Sequence, residues 1–169
     1  MKSTLKVINE LTSEGVIESY ALGGATALLF YAEPALTFDL DVFVFLPKPP
    51  GLTAVIDLAP LYRALKEKGY SAEREHVLIE GIPVQFIPAY NAVVSEAVRE
   101  AIAKDYEGVK TRVLKMEHLF AIMADTNRPK DRERIKNLLG VVPFDRKLLT
   151  DILQRHSLVK RWEEIVGKV

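Results

Sequence analysis

Gly23-Gly24, followed after a spacer by Thr37-Phe38-Asp39-Leu40-Asp41-Val42-Phe43-Val44-Phe45, is the stretch that decides the fold. The second run is apolar, rich in β-branched and aromatic residues, and predicts a strand over 37–46. Strand periodicity puts the carboxylates of Asp39 and Asp41 on one face, together with Phe43 and Phe45. An unpaired ionised carboxylate in apolar surroundings is very costly, so two of them side by side require a cation or a basic partner.

Working outward toward the N-terminus, Leu5, Val7, Ile8 and Leu11 recur at helical spacing. They predict a helix over 4–14, capped by Ser3 or Thr4 and stopped by Gly15. A short strand over 16–22 leads into Gly23-Gly24, and a second helix over 25–31 is closed by Pro34. A strand, two glycines and a helix start expose backbone N–H groups as phosphate-binding turns do, although such a pair also serves as a plain tight turn.

Toward the C-terminus, Pro47, Pro49, Pro50 and Gly51 predict a loop, and 57–68 a helix with Leu58, Leu61, Tyr62 and Leu65 inward. Residues 75–80 and 82–88 read as hairpin arms around Gly81, with Pro83 marking an exposed edge or a bulge. Asn91 caps a helix running to about 103, and 108–114 is one more strand. Four helices follow over 116–125, 129–139, 145–154 and 158–166. The expected fold class is α+β, a small mixed sheet flanked by helices. Residues 1–114 form the core, and 115–169 a helical C-terminal subdomain packed on it.

The composition bounds the function. At 169 residues and 49% hydrophobic content the chain can bury one core. Lys plus Arg equals Asp plus Glu at 23 each, which gives no bulk attraction to nucleic acid or membrane. The absence of cysteine excludes disulfides, thiolate metal sites and cysteine nucleophiles. Met1 to Lys6 lacks the apolar core of a secretory leader, and no apolar run reaches the roughly 18 residues that span a bilayer, so a cytoplasmic protein without membrane contact is expected.

Two carboxylates at i and i+2 beside a glycine turn suit a nucleoside triphosphate with Mg²⁺. The carboxylates offer hard oxygen ligands, and the turn offers N–H groups to phosphate. A second metal, about 4 Å from the first, would need a third carboxylate.

Gly23-Gly24 with Thr37-Phe38-Asp39-Leu40-Asp41 resembles the signature of the nucleotidyltransferase superfamily, the polymerase β-like fold, and especially its small bacterial members similar to the AbiEii toxin family. Glu117-His118-Leu119 through Arg128-Pro129-Lys130-Asp131 resembles the same proteins. The resemblance implies that Gly23 and Gly24 contact phosphates, that Asp39 and Asp41 hold Mg²⁺, and that Thr37 bonds the loop or a phosphate. It further implies that Lys130 and Asp131 belong to the catalytic cleft and that Arg128 adds a phosphate contact. A capped helix start with solvated charges is the structural alternative for that last segment.

Departures from the pattern narrow the chemistry. In Pro83-Val84-Gln85-Phe86-Ile87, where a third carboxylate is expected, Gln85 is the only polar residue, and it can offer a metal only its carbonyl oxygen. Glu75, Glu80 and Asp57 are the candidate substitutes. Met123 stands where toxin-like relatives often carry lysine. His76, His118 and His156 share no ligand spacing and read as structural. Arg155, His156, Lys160, Arg161 and Trp162 read as a solvated helix face with a packed indole, rather than as an RNA-binding patch.

Two functions follow. One is Mg²⁺-dependent transfer of a nucleotidyl group from an NTP to a hydroxyl on an RNA end, a protein or a small molecule. The other is a catalytically degenerate binding module of the same fold, which acts through a protein partner in a toxin and antitoxin setting.

Overall fold

A computed structural model describes residues 1–32, 39–48 and 56–167. Thr37 and Phe38 at the head of the predicted strand, and Pro49, Pro50 and Gly51 of the predicted loop, lie outside the described residues. The elements are α1 (Lys2–Ser13), β1 (Ser19–Leu22), α2 (Gly24–Leu28), β2 (Leu40–Phe45), α3 (Ala59–Glu67), β3 (Ala72–Glu73), β4 (His76–Ile79) and β5 (Ile82–Pro88). They continue with α4 (Ala92–Arg99), β6 (Ile102–Tyr106), β7 (Val109–Val113), α5 (Met116–Thr126), α6 (Pro129–Leu138), α7 (Arg146–Arg155) and α8 (Val159–Val166).

The fold is α+β, as the sequence predicts. One seven-stranded sheet runs β3-β4-β5-β2-β1-β7-β6. The β2/β5 and β1/β7 pairs are parallel and the other four antiparallel. Helices flank the sheet, and no strand follows Val113 among the described residues. One apolar cluster runs from Leu5 and Ile8 of α1 through Val42 and Val44 of β2 to Phe120 of α5 and Trp162 of α8. The rings of Phe144 and Trp162 stand edge-on to Phe120, with centroids 5.1 and 5.6 Å away, so the indole is core, as expected. Among the described residues, no helix is long and apolar enough to cross a membrane.

Three local expectations are corrected. Helix α1 starts at Lys2 and neither Ser3 nor Thr4 caps it, because Thr4 is buried and its hydroxyl donates to the Ile79 carbonyl at 3.2 Å. The helix opened by Asn91 stops at Arg99 and Ile102–Tyr106 is a strand. Its cause is the hairpin with β7, whose turn residues Glu107 and Gly108 both have positive φ and whose Gly108 N–H donates to Asp105 Oδ1 at 2.8 Å. The Arg112 guanidinium then donates to the Val98 and Arg99 carbonyls at 3.0 and 3.1 Å, tying the end of α4 to β7. Finally, β5 is an interior strand rather than a sheet edge, but its ladder with β2 begins at Leu40↔Val84, so Pro83 stands where no bond to β2 is needed.

Candidate active site

Strand register assembles the site. On β1/β2 the last pair is Leu22↔Val42, so the next residue, Gly23, comes beside Asp41, and its N–H donates to the Asp41 carbonyl at 3.0 Å. On β2/β5 Asp41 is opposite Gln85. On β4/β5 the pair Val77↔Val84, continued by one residue, sets His76 opposite Gln85. Gly23, Asp41, Gln85 and His76 therefore form one row across four strands, and neighbours in such a row share a face. Asp39 lies two residues before Asp41, and the His76 Nε2 approaches its Oδ2 at 3.7 Å. The Thr26 hydroxyl donates to the Asp39 carbonyl at 2.9 Å and anchors the entry to β2 on α2.

Both glycines are dictated by close approach. A Cβ at Gly23 would overlap the Phe43 ring, and one at Gly24 would overlap the Asp41 carboxylate. Gly24 also has φ +54°, which disfavours any side chain.

Over this row opens a cleft of about 390 Å³, with Gly24, Asp39, Asp41 and Gln85 on one side and Arg128, Lys130, Asp131 and Arg134 on the other. Its apolar lining includes Phe43, Ile87 and Met123, and the exposed ring of Tyr90 stands at the rim. The volume suits a small-molecule ligand.

The charges are arranged around Asp41. Burial raises its carboxyl above the usual range, and the neighbouring Asp39 charge raises it further, while His76, Lys130 and Arg134 pull the other way. Asp131 behaves oppositely. Burial would raise it, but hydrogen bonds from Arg128 and Thr126 outweigh that and hold it below the usual carboxylate range. Arg128 donates from Nε to Oδ2 at 2.6 Å and from Nη2 to Oδ1 at 3.2 Å, and the Thr126 hydroxyl donates to Oδ2 at 2.8 Å.

Of the residues singled out in the sequence, Gly24, Asp39, Asp41, Gln85, Arg128, Lys130 and Asp131 all line this cleft, whereas Gly23 does not, and its N–H is taken by the Asp41 carbonyl. Thr37 is outside the described residues. Glu75, Glu80 and Asp57 are exposed and line no part of it. Asp57 caps α3 by accepting the Ala59 N–H at 2.9 Å, and Glu80 accepts the Tyr70 hydroxyl at 2.6 Å.

Sequence reasoning missed three neighbours of the aspartates. Arg134 is one helical turn beyond Lys130, a spacing that could have been read. Tyr90 directly precedes the helix cap Asn91. His76, expected to be structural, faces Asp39 instead, and only the sheet register reveals it. The other two histidines are structural. His118 and His156 bond Glu96 at 3.2 and 2.7 Å, and Arg155 joins them at 2.6 Å. Among the described residues the buried His118 Nδ1 has no partner, and the Glu96 carboxylate can only accept, so the neutral ring donates from Nε2.

No family model matches the chain, and no curated protein does. Among solved structures, an antigenic nucleotidyltransferase-like protein from Paracoccidioides brasiliensis superposes with a TM-score of 0.52 at 12% identity, over 98% of this chain and 92% of that one. The chain has a nucleotidyltransferase-like fold. The antibiotic-resistance factor ANT(2'')-Ia is also similar, with a TM-score of 0.47 at 17% identity, over 97% of this chain and 88% of that one.

Among the described residues no group of three or more His, Cys, Asp or Glu side chains is placed to hold a metal ion, so the cleft offers a divalent cation two carboxylates and an amide oxygen at most. Asp39, Asp41 and the Gln85 carbonyl are oxygen donors on one face of the sheet, and a divalent cation there would favour the ionised Asp41 that burial first, and the Asp39 charge second, oppose. Both oxygens of Asp131, the other cleft carboxylate among the described residues, already accept hydrogen bonds.

Proposed function

We propose that the chain transfers a nucleotidyl group from a nucleoside triphosphate to a hydroxyl acceptor. The observation that carries this reading is the pairing across one cleft of Asp39 and Asp41 with Arg128, Lys130 and Arg134. Two carboxylates alone would repel a polyphosphate, and three cations alone would bind one without activating it. Mg²⁺ held by Asp39 and Asp41 supplies Lewis-acid polarisation of phosphate oxygen and charge neutralisation. The chain's own residues do the rest. Arg128, Lys130 and Arg134 hold the polyphosphate, the missing side chain at Gly24 leaves the Asp41 carboxylate its place in the cleft, and the apolar wall with Tyr90 receives the base. The acceptor oxygen forms a bond to the α-phosphorus, the bond to the bridging oxygen breaks, pyrophosphate leaves, and the hydroxyl proton passes to water.

Calorimetry with each of the four NTPs, with and without Mg²⁺, tests the reading. Metal-dependent binding that Asp39→Ala abolishes while the fold persists supports it, and a native chain that binds none of them overturns it.

Gln85 opposite Asp41 favours a second reading, a nucleotide-binding module without turnover that acts through a protein partner. Binding without pyrophosphate release from any acceptor separates it from the first.

A further inference from the structure

We propose that Asp131 is a positioning residue that fixes Arg128 against the polyphosphate, and that it is not a third metal ligand. The inference rests on the nucleotide reading and assigns a role that the reading leaves open, since among the described residues Asp131 is the one further carboxylate lining the cleft.

The Asp131 side chain is 3% exposed and the Arg128 side chain 57%. The buried partner is thus the holder and the exposed one the held. Nε and Nη2 of Arg128 reach the two carboxylate oxygens as a fork, at 2.6 and 3.2 Å, and Thr126 Oγ1 closes on Oδ2 at 2.8 Å. A fork of this kind fixes the guanidinium plane as well as its distance. Among the described residues it leaves the Nη1 amino group without an acceptor, on a side chain that lines the cleft.

The backbone gives the pair a stiff base. Asn127 ends α5 in the left-handed region at φ 52°, and Arg128 is extended. Pro129 starts α6, and the Asp131 N–H donates to the Arg128 carbonyl at 2.9 Å. A metal bound to Asp131 would have to sit against a guanidinium that already covers both oxygens, so like-charge repulsion opposes it. The depressed Asp131 carboxyl agrees with this arrangement.

The test separates metal from phosphate. Mn²⁺ binding is followed by electron paramagnetic resonance without nucleotide, and Mg²⁺-tripolyphosphate binding by calorimetry, a probe that needs no base preference. Native protein, Asp131→Asn, Arg128→Gln, the double variant and Arg128→Lys are compared, each with its thermal midpoint. Asp131→Asn and Arg128→Gln are each expected to weaken tripolyphosphate on the order of 10-fold, with the double variant no worse than either, and to leave Mn²⁺ affinity within about twofold. Arg128→Lys keeps the charge on an exposed side chain, loses the fork, and should show the same loss even if Asp131→Asn unfolds. Loss of Mn²⁺ in Asp131→Asn with tripolyphosphate retained makes Asp131 a ligand and overturns the proposal. Native affinity for both in Asp131→Asn, or for tripolyphosphate in Arg128→Lys, also overturns it. If the native chain binds neither tripolyphosphate nor any NTP, the nucleotide reading itself falls.

Discussion

The backbone of Gly24 and the carboxylate of Asp41 share one volume, because a Cβ on the first would overlap an oxygen of the second. The glycine is therefore part of the carboxylate's position rather than only a hinge into α2. Gly24→Ala should cost about 1–2 kcal/mol from the left-handed backbone alone. It should also displace Asp41 and remove Mn²⁺ binding, as read by urea unfolding and metal titration. A variant that binds Mn²⁺ like the native chain would show that Asp41 does not depend on this approach.

Asp41→Asn removes a half-buried charge that burial and Asp39 both oppose. Without metal, its thermal midpoint should equal or exceed the native one. Added Mg²⁺ should raise the native midpoint and leave that of the variant where it is. A marked loss of metal-free stability would mean that Asp41 is held by a favourable partner instead.

Gln85 faces Asp41 in register, so Gln85→Glu places a third carboxylate in the row. Mn²⁺ affinity should rise on the order of 10-fold, and metal-free stability should fall through like-charge repulsion. Unchanged affinity would place the Gln85 side chain outside the metal's reach.

Glu96 contributes to the acid dependence of the fold. Burial would raise its carboxyl, but hydrogen bonds from Arg155, His156 and His118 lower it from 4.5 to about 2. A depressed carboxyl stabilises the fold fully above its unfolded value of 4.5, and that contribution is lost as the pH falls toward 2. His118 adds to the same slope earlier. Burial lowers it below 6.5, with Glu96 in part opposing, so the unfolded chain takes up its proton first as the pH drops. Urea unfolding should therefore show stability falling below pH 6.5 and again below 4.5, and Glu96→Gln should flatten the second fall. A second fall of native steepness in the variant would assign it to other carboxylates.

Trp162 closes the helical end of the core against Phe120 at 5.6 Å. Trp162→Ala should cost about 3–5 kcal/mol in denaturant unfolding. A cost under about 1 kcal/mol would identify α8 as a dispensable appendage, since surface substitutions lie in that range.

Much of this was legible in the sequence, where local chemistry is unambiguous. The aspartate strand, the hairpin around Gly81 and the four helices after Met116 all have clear periods and breakers. Strand β6 was not, because Ala92 to Ala101 runs toward it without a glycine or proline, and the signal lies later, in the turn at Glu107-Gly108. The aspartates and the Arg-Pro-Lys-Asp segment were readable as a charged constellation. The approach of His76 to Asp39 was not, because it depends on two independent registers, β4 on β5 and β5 on β2. The bond between Arg128 and Asp131 hides for another reason. Spacing shows that two side chains can meet, but not which of them the fold buries.

The row through Asp41 also bears on how easily such a protein changes trade. Glutamine and glutamate codons differ by one base, so a single nucleotide change at position 85 alters the oxygen donors of the cleft without altering side-chain length. Gln85 is half-buried and opens onto the cleft, so the exchange leaves the apolar core alone. A point mutation at position 85 would thus change the oxygen donors beside Asp41 while the sheet that carries them stays in place.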